Sequence, residues 1–262
     1  MSLSLKDKFR FIVFVSCILF LTGCTTYNSA TGRNEFIMIA TPQEITMGFD
    51  AHKQLQQKFV FSTDPKYINR VQSVGQKIAL ISDRQDYEYK FHVVEDKELN
   101  AFTTPGGNVY VNTGLLDKLQ TDDELAFVIA HEVGHCAARH VVKKYQAALG
   151  YSVVGSLVLS QVSASASSLA SMSSGVAMNL IFSSYGRKDE FEADRLGIKY
   201  MYLAGYDPAG AKKSFEVLKA NAKGPEGPIL FRSHPYINDR IKIIHNEAAL
   251  AKYRYGKKSS KN

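Results

Sequence analysis

The sequence contains only three cysteines, and two of them, Cys17 and Cys24, lie within the first 24 residues. This number and placement exclude a disulfide-rich scaffold. Tryptophan is absent, but 15 Phe and 14 Tyr among 262 residues exclude disorder as the dominant state, because disordered chains are poor in aromatic residues. With 45% hydrophobic residues, the chain is long enough to form one large globular domain or two small ones.

The body of the chain also lacks an excess of charge. The formal net charge is +7, but this excess lies entirely in a basic leader, residues 1–23, and in the residues after Ala251. The residues between these two ends sum to zero. A basic binding surface across the domain is therefore not predicted, and we expect no nucleic-acid partner. The tail, residues 254–262, is predicted to be a solvated end.

The leader has the features of a bacterial lipoprotein signal. A basic stretch is followed by 13 apolar or small residues, from Phe11 to Gly23, which as a helix would cover roughly 20 Å and would not comfortably span a bilayer. The run ends in Leu21-Thr22-Gly23-Cys24, which resembles a lipobox. Residues 1–23 are therefore predicted to be removed, leaving Cys24 lipidated and residues 24–40 as a tether. An uncleaved membrane anchor is the alternative. Thr25, rather than Asp, resembles enterobacterial lipoproteins of the outer membrane that face the periplasm.

Capping patterns and hydrophobic periodicity predict a mainly helical α+β fold for the domain, residues 41–253. Two short strands, over residues 89–94 and 108–111, predict a small sheet, and we expect the second strand to lie at its edge. Helices are predicted over residues 42–59, 64–81, 113–119, 121–149 and 189–203, from residue 207, and over 235–253.

A long stretch without charge interrupts this pattern. Residues 145–186 contain no Asp, Glu, Lys or Arg, and 12 of them are Ser. A spanning helix is not predicted, because Ser recurs every few residues. The composition favours helices that pack closely through small residues, joined by a mobile connection around residues 163–174.

The strongest chemical signal is the HExxH motif from His131 to His135. Residues four apart lie on one face of a helix, so the two imidazoles converge on a point outside it, where they can bind Zn²⁺. Glu132 is displaced around the helix and can reach a water at that point, as a general base requires. Solvent-facing histidines are the alternative, but the apolar residues before the motif predict a buried helix.

A catalytic zinc needs a third protein ligand, and the sequence offers a cluster of acidic residues for that role. Glu190 and Asp194 are four residues apart on one helical face, while Glu192 points roughly the other way. Glu190 is therefore the candidate ligand. Asp194, one turn along, is the candidate acceptor for the second N–H of a ligating histidine. An ordinary charged helix face is the alternative for this cluster taken alone.

The pairing of HExxH with a later ExxxD, Glu190 to Asp194, resembles the HtpX-like zinc metallopeptidases. The lipobox and the size are similar to the LoiP-type outer-membrane lipoproteins of that family, whereas the transmembrane hairpins of HtpX itself are missing. The resemblance implies a zincin-like metalloprotease core of the gluzincin type with one Zn²⁺ per chain. Three further segments carry the resemblance: Asn100-Ala101-Phe102 with Pro105-Gly106-Gly107, Thr113-Gly114-Leu115-Leu116, and Ser233-His234-Pro235 with Arg240.

The resemblance also suggests roles around the ligands. His234 and Arg240 are candidate catalytic residues that stabilise the oxyanion, although capping or packing is an equal alternative, and His234 can instead occupy the open zinc position and keep the enzyme latent. The strand with Asn108 and Tyr110 is expected to align substrate by strand addition, with Asn100 beside the cleft. A plain sheet strand is the competing interpretation.

Two functions are compatible with these motifs. The first is a zinc metalloendopeptidase that acts on misfolded or unfolded envelope proteins, is held at the membrane by the lipid on Cys24, and works with a partner protease or assembly machinery. The second is a periplasmic chaperone or assembly factor with a latent or structural zinc site. The remaining histidines are not expected to bind this metal: His140, His52, His92 and His245.

Overall fold

The structure is a computed structural model, and it describes residues 25–158, 179–221 and 228–256. The predicted signal peptide, Cys24, the predicted mobile connection around residues 163–174 and residues 257–262 of the tail lie outside the described residues. None of the helices within those three ranges combines the length and the apolarity that crossing a membrane requires.

Helices dominate the described residues, as the sequence predicts for an α+β fold, and the prediction of this class is confirmed. Most helices begin within two residues of their predicted starts, and in two of them the first residue, Pro65 or Asp122, follows a side chain that caps the helix. In chain order they are α1 (Thr41–Lys58), α2 (Pro65–Ile81), α3 (Thr113–Leu116), α4 (Asp122–Ala137), α5 (His140–Val158), α6 (Arg187–Leu203), α7 (Ala209–Ala220), α8 (Ile229–Ser233) and α9 (Ile237–Tyr255).

The strands form a two-stranded hairpin and a three-stranded mixed sheet. The hairpin pairs β1 (Thr25–Asn28) with β2 (Arg33–Phe36), and the sheet contains β3 (Lys90–Val94), β4 (Ala101–Thr104) and β5 (Asn108–Asn112) in the order β3-β5-β4. β5 runs parallel to β3 and antiparallel to β4. The prediction that β5 is an edge strand is wrong, because the short β4, which the sequence patterns missed, covers its second side.

The HExxH helix α4 lies at the centre of the main core. Every residue from Glu124 to Ala137 is buried, because α4 contacts α6, α7, α2 and β4 around its circumference. The helix begins at a cap in which Thr121 Oγ1 accepts a hydrogen bond from the Glu124 N–H. A helix packed on all sides holds its side chains in fixed positions, which is what a metal centre requires.

The single helix predicted over residues 121–149 is wrong in one respect: it is broken after Ala137. Arg139 has a φ of 59°, in the left-handed region that non-glycine residues rarely adopt. Its guanidinium explains the break, since Nη2 lies 2.9 Å from Oε2 of buried Glu44 and donates to the Ile39 carbonyl at 2.7 Å. These contacts with the chain before and within α1 compensate the cost of the backbone conformation. α5 then starts in a new direction at His140.

Part of the predicted tether is folded against the domain. Glu35 of β2 accepts a hydrogen bond from Lys143 Nζ at 2.7 Å, and Arg33 pairs with Glu192 of α6 at 2.9 Å. Gln146 Oε1 accepts hydrogen bonds from the Met38 and Ile39 backbone N–H groups. The hairpin is therefore fixed to α5 and α6, on the side of the molecule where α5 begins.

The close approach of α1 to the turn at Pro105 gives a test of this packing. A β-carbon added at Gly48 would overlap the Pro105 carbonyl oxygen, whereas one added at Gly150 of α5 would meet no atom of the described residues within 4 Å. We expect Gly48→Ala to lower the free energy of unfolding by about 1–3 kcal/mol through overpacking. The matched Gly150→Ala should leave it unchanged or raise it by up to about 1 kcal/mol, because Ala favours helix. Urea unfolding followed by circular dichroism measures both, and equal effects would contradict the packing described.

Candidate metal centre

Three segments of the chain bring four metal-binding side chains together. α4 supplies His131 and His135, α6 supplies Glu190, and His234 follows the end of α8. One ligand atom from each lies within 4.8 Å of the others, and all four residues are buried. The three ligands that the sequence predicted are therefore assembled, and His234 lies with them.

The geometry of the two HExxH imidazoles fits a cation. Their Nε2 atoms are 3.0 Å apart, and the Glu190 carboxylate oxygens lie 3.5 Å from His135 Nε2 and 3.6 Å from His131 Nε2. Each Nδ1 atom has its own partner on the far side of the ring, which places a lone pair on each Nε2. Two inward lone pairs beside a carboxylate repel one another unless a cation lies between them. Imidazole nitrogen and carboxylate oxygen are ligands that zinc prefers.

The partner of His131 is the one expected from the sequence. Asp194 Oδ1 lies 3.0 Å from His131 Nδ1, so this carboxylate can accept the N–H of the ring and fix its tautomer. Glu190 and Asp194 thus act from one face of α6, whereas Glu192 points to α5 and the N-terminal hairpin.

The partner of His135 is His140, which the sequence analysis assigned no role. Its Nδ1 lies 2.8 Å from His135 Nδ1, although its own ring is not among the metal-binding group. On one continuous helix His140 would point away from His135, and the break at Arg139 turns it back. The signal that could have found it is its place in the sequence, five residues after the motif, combined with a helix end that no cap residue announces.

Arg240 is buried among these acidic residues. Its guanidinium donates to both carboxylate oxygens of Asp194, at 2.9 and 2.7 Å, and its Nη1 lies 2.7 Å from Glu190 Oε2 and 3.1 Å from the His234 carbonyl oxygen. All three guanidinium nitrogens contact acceptors of the cluster. This arrangement favours the packing alternative for Arg240 over direct contact with a substrate oxyanion.

Glu132 differs from the other acidic side chains because neither of its carboxylate oxygens has a hydrogen-bond partner within the described part of the chain. Burial raises the pKa of Glu132 above its ordinary value. The side chain lines a small cavity of about 20 Å³ together with His131 and His234, which is room for about one water molecule. An unpartnered, buried carboxylate beside such a cavity is placed as a general base should be.

The protonation of two ligands also suits metal binding. Burial lowers the pKa of His135 well below its ordinary value, which keeps the imidazole neutral. Burial alone would raise the pKa of Glu190, but the charges of Arg240 and His234 outweigh it and hold the pKa well below its ordinary value. A neutral imidazole and an ionised carboxylate are the forms that bind a metal.

The predicted substrate contacts lie in the sheet and not among the ligands. Tyr110 of β5 is fully buried, its hydroxyl forms a hydrogen bond with His52, and its ring stacks on His92. Because β5 pairs with β3 and β4 on its two sides, a substrate strand cannot add to it. Asn108 is buried and contacts His92, and Asn100 precedes β4, where its backbone carbonyl accepts from Asn112. β3 and β4 are the outer strands of the sheet; Phe61 bridges to Val94 on the outer side of β3, and all four residues of β4 are buried.

Tyr185 is a further neighbour of the centre that the sequence did not reveal. Its ring stacks on His135, with ring centroids 3.9 Å apart, and Lys144 Nζ lies 4.1 Å from the centroid of the tyrosine ring. The Tyr185 backbone N–H donates to the Ser233 carbonyl. This residue therefore covers one face of a ligand and joins it to the segment that carries His234.

Comparison with known proteins identifies the family. Residues 65–248 match the sequence profile of Peptidase family M48, and this range contains all four clustered side chains. The chain belongs to family M48.

Several characterised M48-type proteins are similar to the chain. Mitochondrial metalloendopeptidase OMA1 of Schizosaccharomyces pombe is 32% identical over 83% of this chain and 65% of its own length. Metalloprotease LoiP of Escherichia coli is 28% identical over 90% of this chain and 94% of its own length. Beta-barrel assembly-enhancing protease of Escherichia coli is 27% identical over 79% and 44%, respectively. The chain thus spans less than two thirds of the first and third of these relatives, and nearly all of the second.

The assignment of Glu190 as a ligand is testable by metal affinity. Glu190→Gln should weaken zinc binding by more than the roughly 10–100-fold that loss of an outer hydrogen-bond partner costs, because it removes a charged ligand. Glu216→Gln is the matched control, since Glu216 is an exposed residue of α7 that forms an ion pair with Lys212. Competition with a chelator measures both, and equal affinities for the two variants would move the third ligand elsewhere.

Proposed function

We propose that this chain is a zinc metalloendopeptidase of the gluzincin type, with zinc held by His131, His135 and Glu190. The observation that carries the proposal is Glu132, a buried carboxylate that has no hydrogen-bond partner among the described residues and lines a water-sized cavity beside the ligand cluster. A purely structural metal site has no use for such a group, because burying a carboxylate that accepts no hydrogen bond costs free energy.

The chemistry divides between the metal and the chain. Zinc, when bound, supplies Lewis acidity that polarises a carbonyl and makes a water easier to deprotonate. Glu132 takes the proton of the attacking water and delivers it to the amine of the broken peptide bond. Asp194 and His140 hold the two imidazoles in their metal-binding tautomers, while Arg240 holds the Glu190 and Asp194 carboxylates in position and lowers the pKa of Glu190.

His234 supports a latent form of the same enzyme. Its Nδ1 lies 3.2 Å from His131 Nε2 and 3.0 Å from Glu190 Oε1, among the ligand atoms, and its Nε2 lies 3.5 Å from Glu132 Oε1. This position favours the alternative in which His234 fills the fourth ligand site, over direct stabilisation of an oxyanion. Substrate would then have to displace His234 before cleavage.

The cellular setting is proposed from the leader and from the relatives. The lipobox at Cys24 supports a lipid-anchored protein of the outer membrane that faces the periplasm. The similarity to metalloprotease LoiP, which the chain spans almost completely, supports the protease activity. Unfolded or misfolded envelope proteins are the proposed substrates, and an assembly machinery is the proposed partner, as the name of the beta-barrel assembly-enhancing protease suggests for that relative.

The decisive test compares the parent chain with Glu132→Gln, both loaded with zinc. Cleavage of casein, followed by mass spectrometry, should fall by about 10²–10⁴-fold in the variant, because it has lost the base. Zinc content should be equal in the two proteins, since Glu132 is not a ligand.

Three outcomes separate the alternatives. Cleavage that persists in Glu132→Gln would remove Glu132 as the base. If neither protein cleaves while both hold zinc, His234→Ala is the next variant: new activity in it would establish the latent enzyme. Continued inactivity of His234→Ala would favour a chaperone or assembly factor with a structural zinc site.

A further inference from the structure

A chain of contacts leads from the N-terminal hairpin to a metal ligand. Arg33 Nη2 of β2 lies 2.9 Å from the Glu192 carboxylate, Glu192 Oε2 lies 3.2 Å from His140 Nε2, and His140 Nδ1 lies 2.8 Å from His135 Nδ1. Arg33 is outside the range that matches the family profile, residues 65–248. The contacts therefore join a segment outside the matched region to the HExxH motif.

The protons along this chain can be assigned from one end to the other. The Glu192 carboxylate only accepts hydrogen bonds, so His140 must carry its proton on Nε2 and donate it to Glu192. An imidazole with one N–H accepts at its other nitrogen, so in the tautomer with the proton on Nε2 the donor of the 2.8 Å contact is His135 Nδ1. The lone pair of His135 is thereby fixed on Nε2, the atom that faces His131 and Glu190. The proton position in each contact fixes the proton position in the next, and the last one leaves the Nε2 lone pair of His135 free to bind a metal.

The position of His140 depends on residues before α2. The backbone turns at Arg139 because its guanidinium is held by Glu44 and by the Ile39 carbonyl. One turn further along α5, Lys143 donates to Glu35 of β2. The first turn of α5 is thus fixed from outside by the hairpin and by α1. His140 itself is 1% exposed, and a ring so buried does not choose its orientation freely.

We propose that His140 and Glu192 are positioning residues for the zinc ligand His135. Arg33, through its pair with Glu192, lets the N-terminal hairpin contribute to the orientation of that ligand. This inference rests on the proposed zinc site. It goes beyond that site because it assigns a role to residues outside the metal-binding group, and to a segment expected to be only a tether.

The test measures the apparent zinc dissociation constant of the full chain by competition with a chromophoric chelator. His140→Phe keeps the ring volume but removes both nitrogen atoms, and it should weaken zinc binding by about 10–100-fold. His140→Gln retains a donor and an acceptor and should recover part of that affinity. His245→Gln is the matched control, since His245 is exposed on α9 and should bind zinc like the parent.

Glu192 provides a second pair of variants that does not disturb the buried ring. Glu192→Leu removes the nearer acceptor of His140, leaving Asp189 Oδ1 at 3.7 Å from His140 Nε2, and should weaken zinc binding. Glu192→Gln keeps an acceptor oxygen and should bind zinc more tightly than Glu192→Leu. Arg33→Ala should cost at most about five-fold, because its pair with Glu192 is half exposed to solvent on the arginine side. Thermal unfolding of the zinc-free proteins shows that each variant is folded.

The outcomes distinguish this proposal from the proposed function. Parent affinity in both His140→Phe and Glu192→Leu would overturn the positioning role, and so would equal losses in Glu192→Leu and Glu192→Gln. A parent chain that binds zinc without cleaving casein would overturn the peptidase while leaving the positioning role open to confirmation by the same variants. A parent chain that binds no zinc would overturn both.

Discussion

The buried guanidinium of Arg240 is the interaction on which the site depends. Glu190 and Asp194 are 0% exposed, and two carboxylates cannot stay ionised in a protein interior without compensation. Arg240 contacts both at 2.7 Å and so ties α9 to α6, which itself packs along the HExxH helix. The charge of His234 also lowers the pKa of Glu190, so Arg240 and His234 together face the buried carboxylates of the cluster, Glu190, Asp194 and Glu132.

The break after the HExxH helix has an equally local cause. A continuous helix through residue 149 satisfies every pattern in the sequence, and nothing at Ala138 or Arg139 resembles a usual helix end. The helix is interrupted because Arg139 is bound by Glu44, a residue 95 positions earlier in the chain. Such a tertiary contact overrides local helix propensity. It also affects the candidate metal site, because it places His140 against Nδ1 of His135.

What the sequence could predict follows from this distinction. Spacing along a single helix predicts which residues share a face, because the period of 3.6 residues is reliable. The candidate ligands His131 and His135, and Asp194 beside them, lie where this spacing predicts. Strand order depends on pairing between distant segments. β4 is four residues long, too short to carry an alternating pattern. Without β4, the sequence predicts that β5 is an edge strand and that Tyr110 lies on a strand that aligns substrate, whereas β5 is the central strand. The partners of His135 and the stacking of Tyr185 also arise only when separate elements meet.

The two imidazoles of the motif are therefore supported in different ways. The Asp194 carboxylate contacts His131 directly. Asp194 lies on α6, the helix that also supplies the candidate ligand Glu190, so these two carboxylates move together. His135 contacts the ring of His140, which in turn contacts Glu192, and Glu192 pairs with Arg33. A carboxylate in direct contact raises the basicity of an imidazole more than one that acts through a second ring. The indirect contact of His135 with Glu192 is therefore the weaker of the two, and it is the one that extends to the N-terminal hairpin. A movement of the hairpin would be transmitted to His135 rather than to His131.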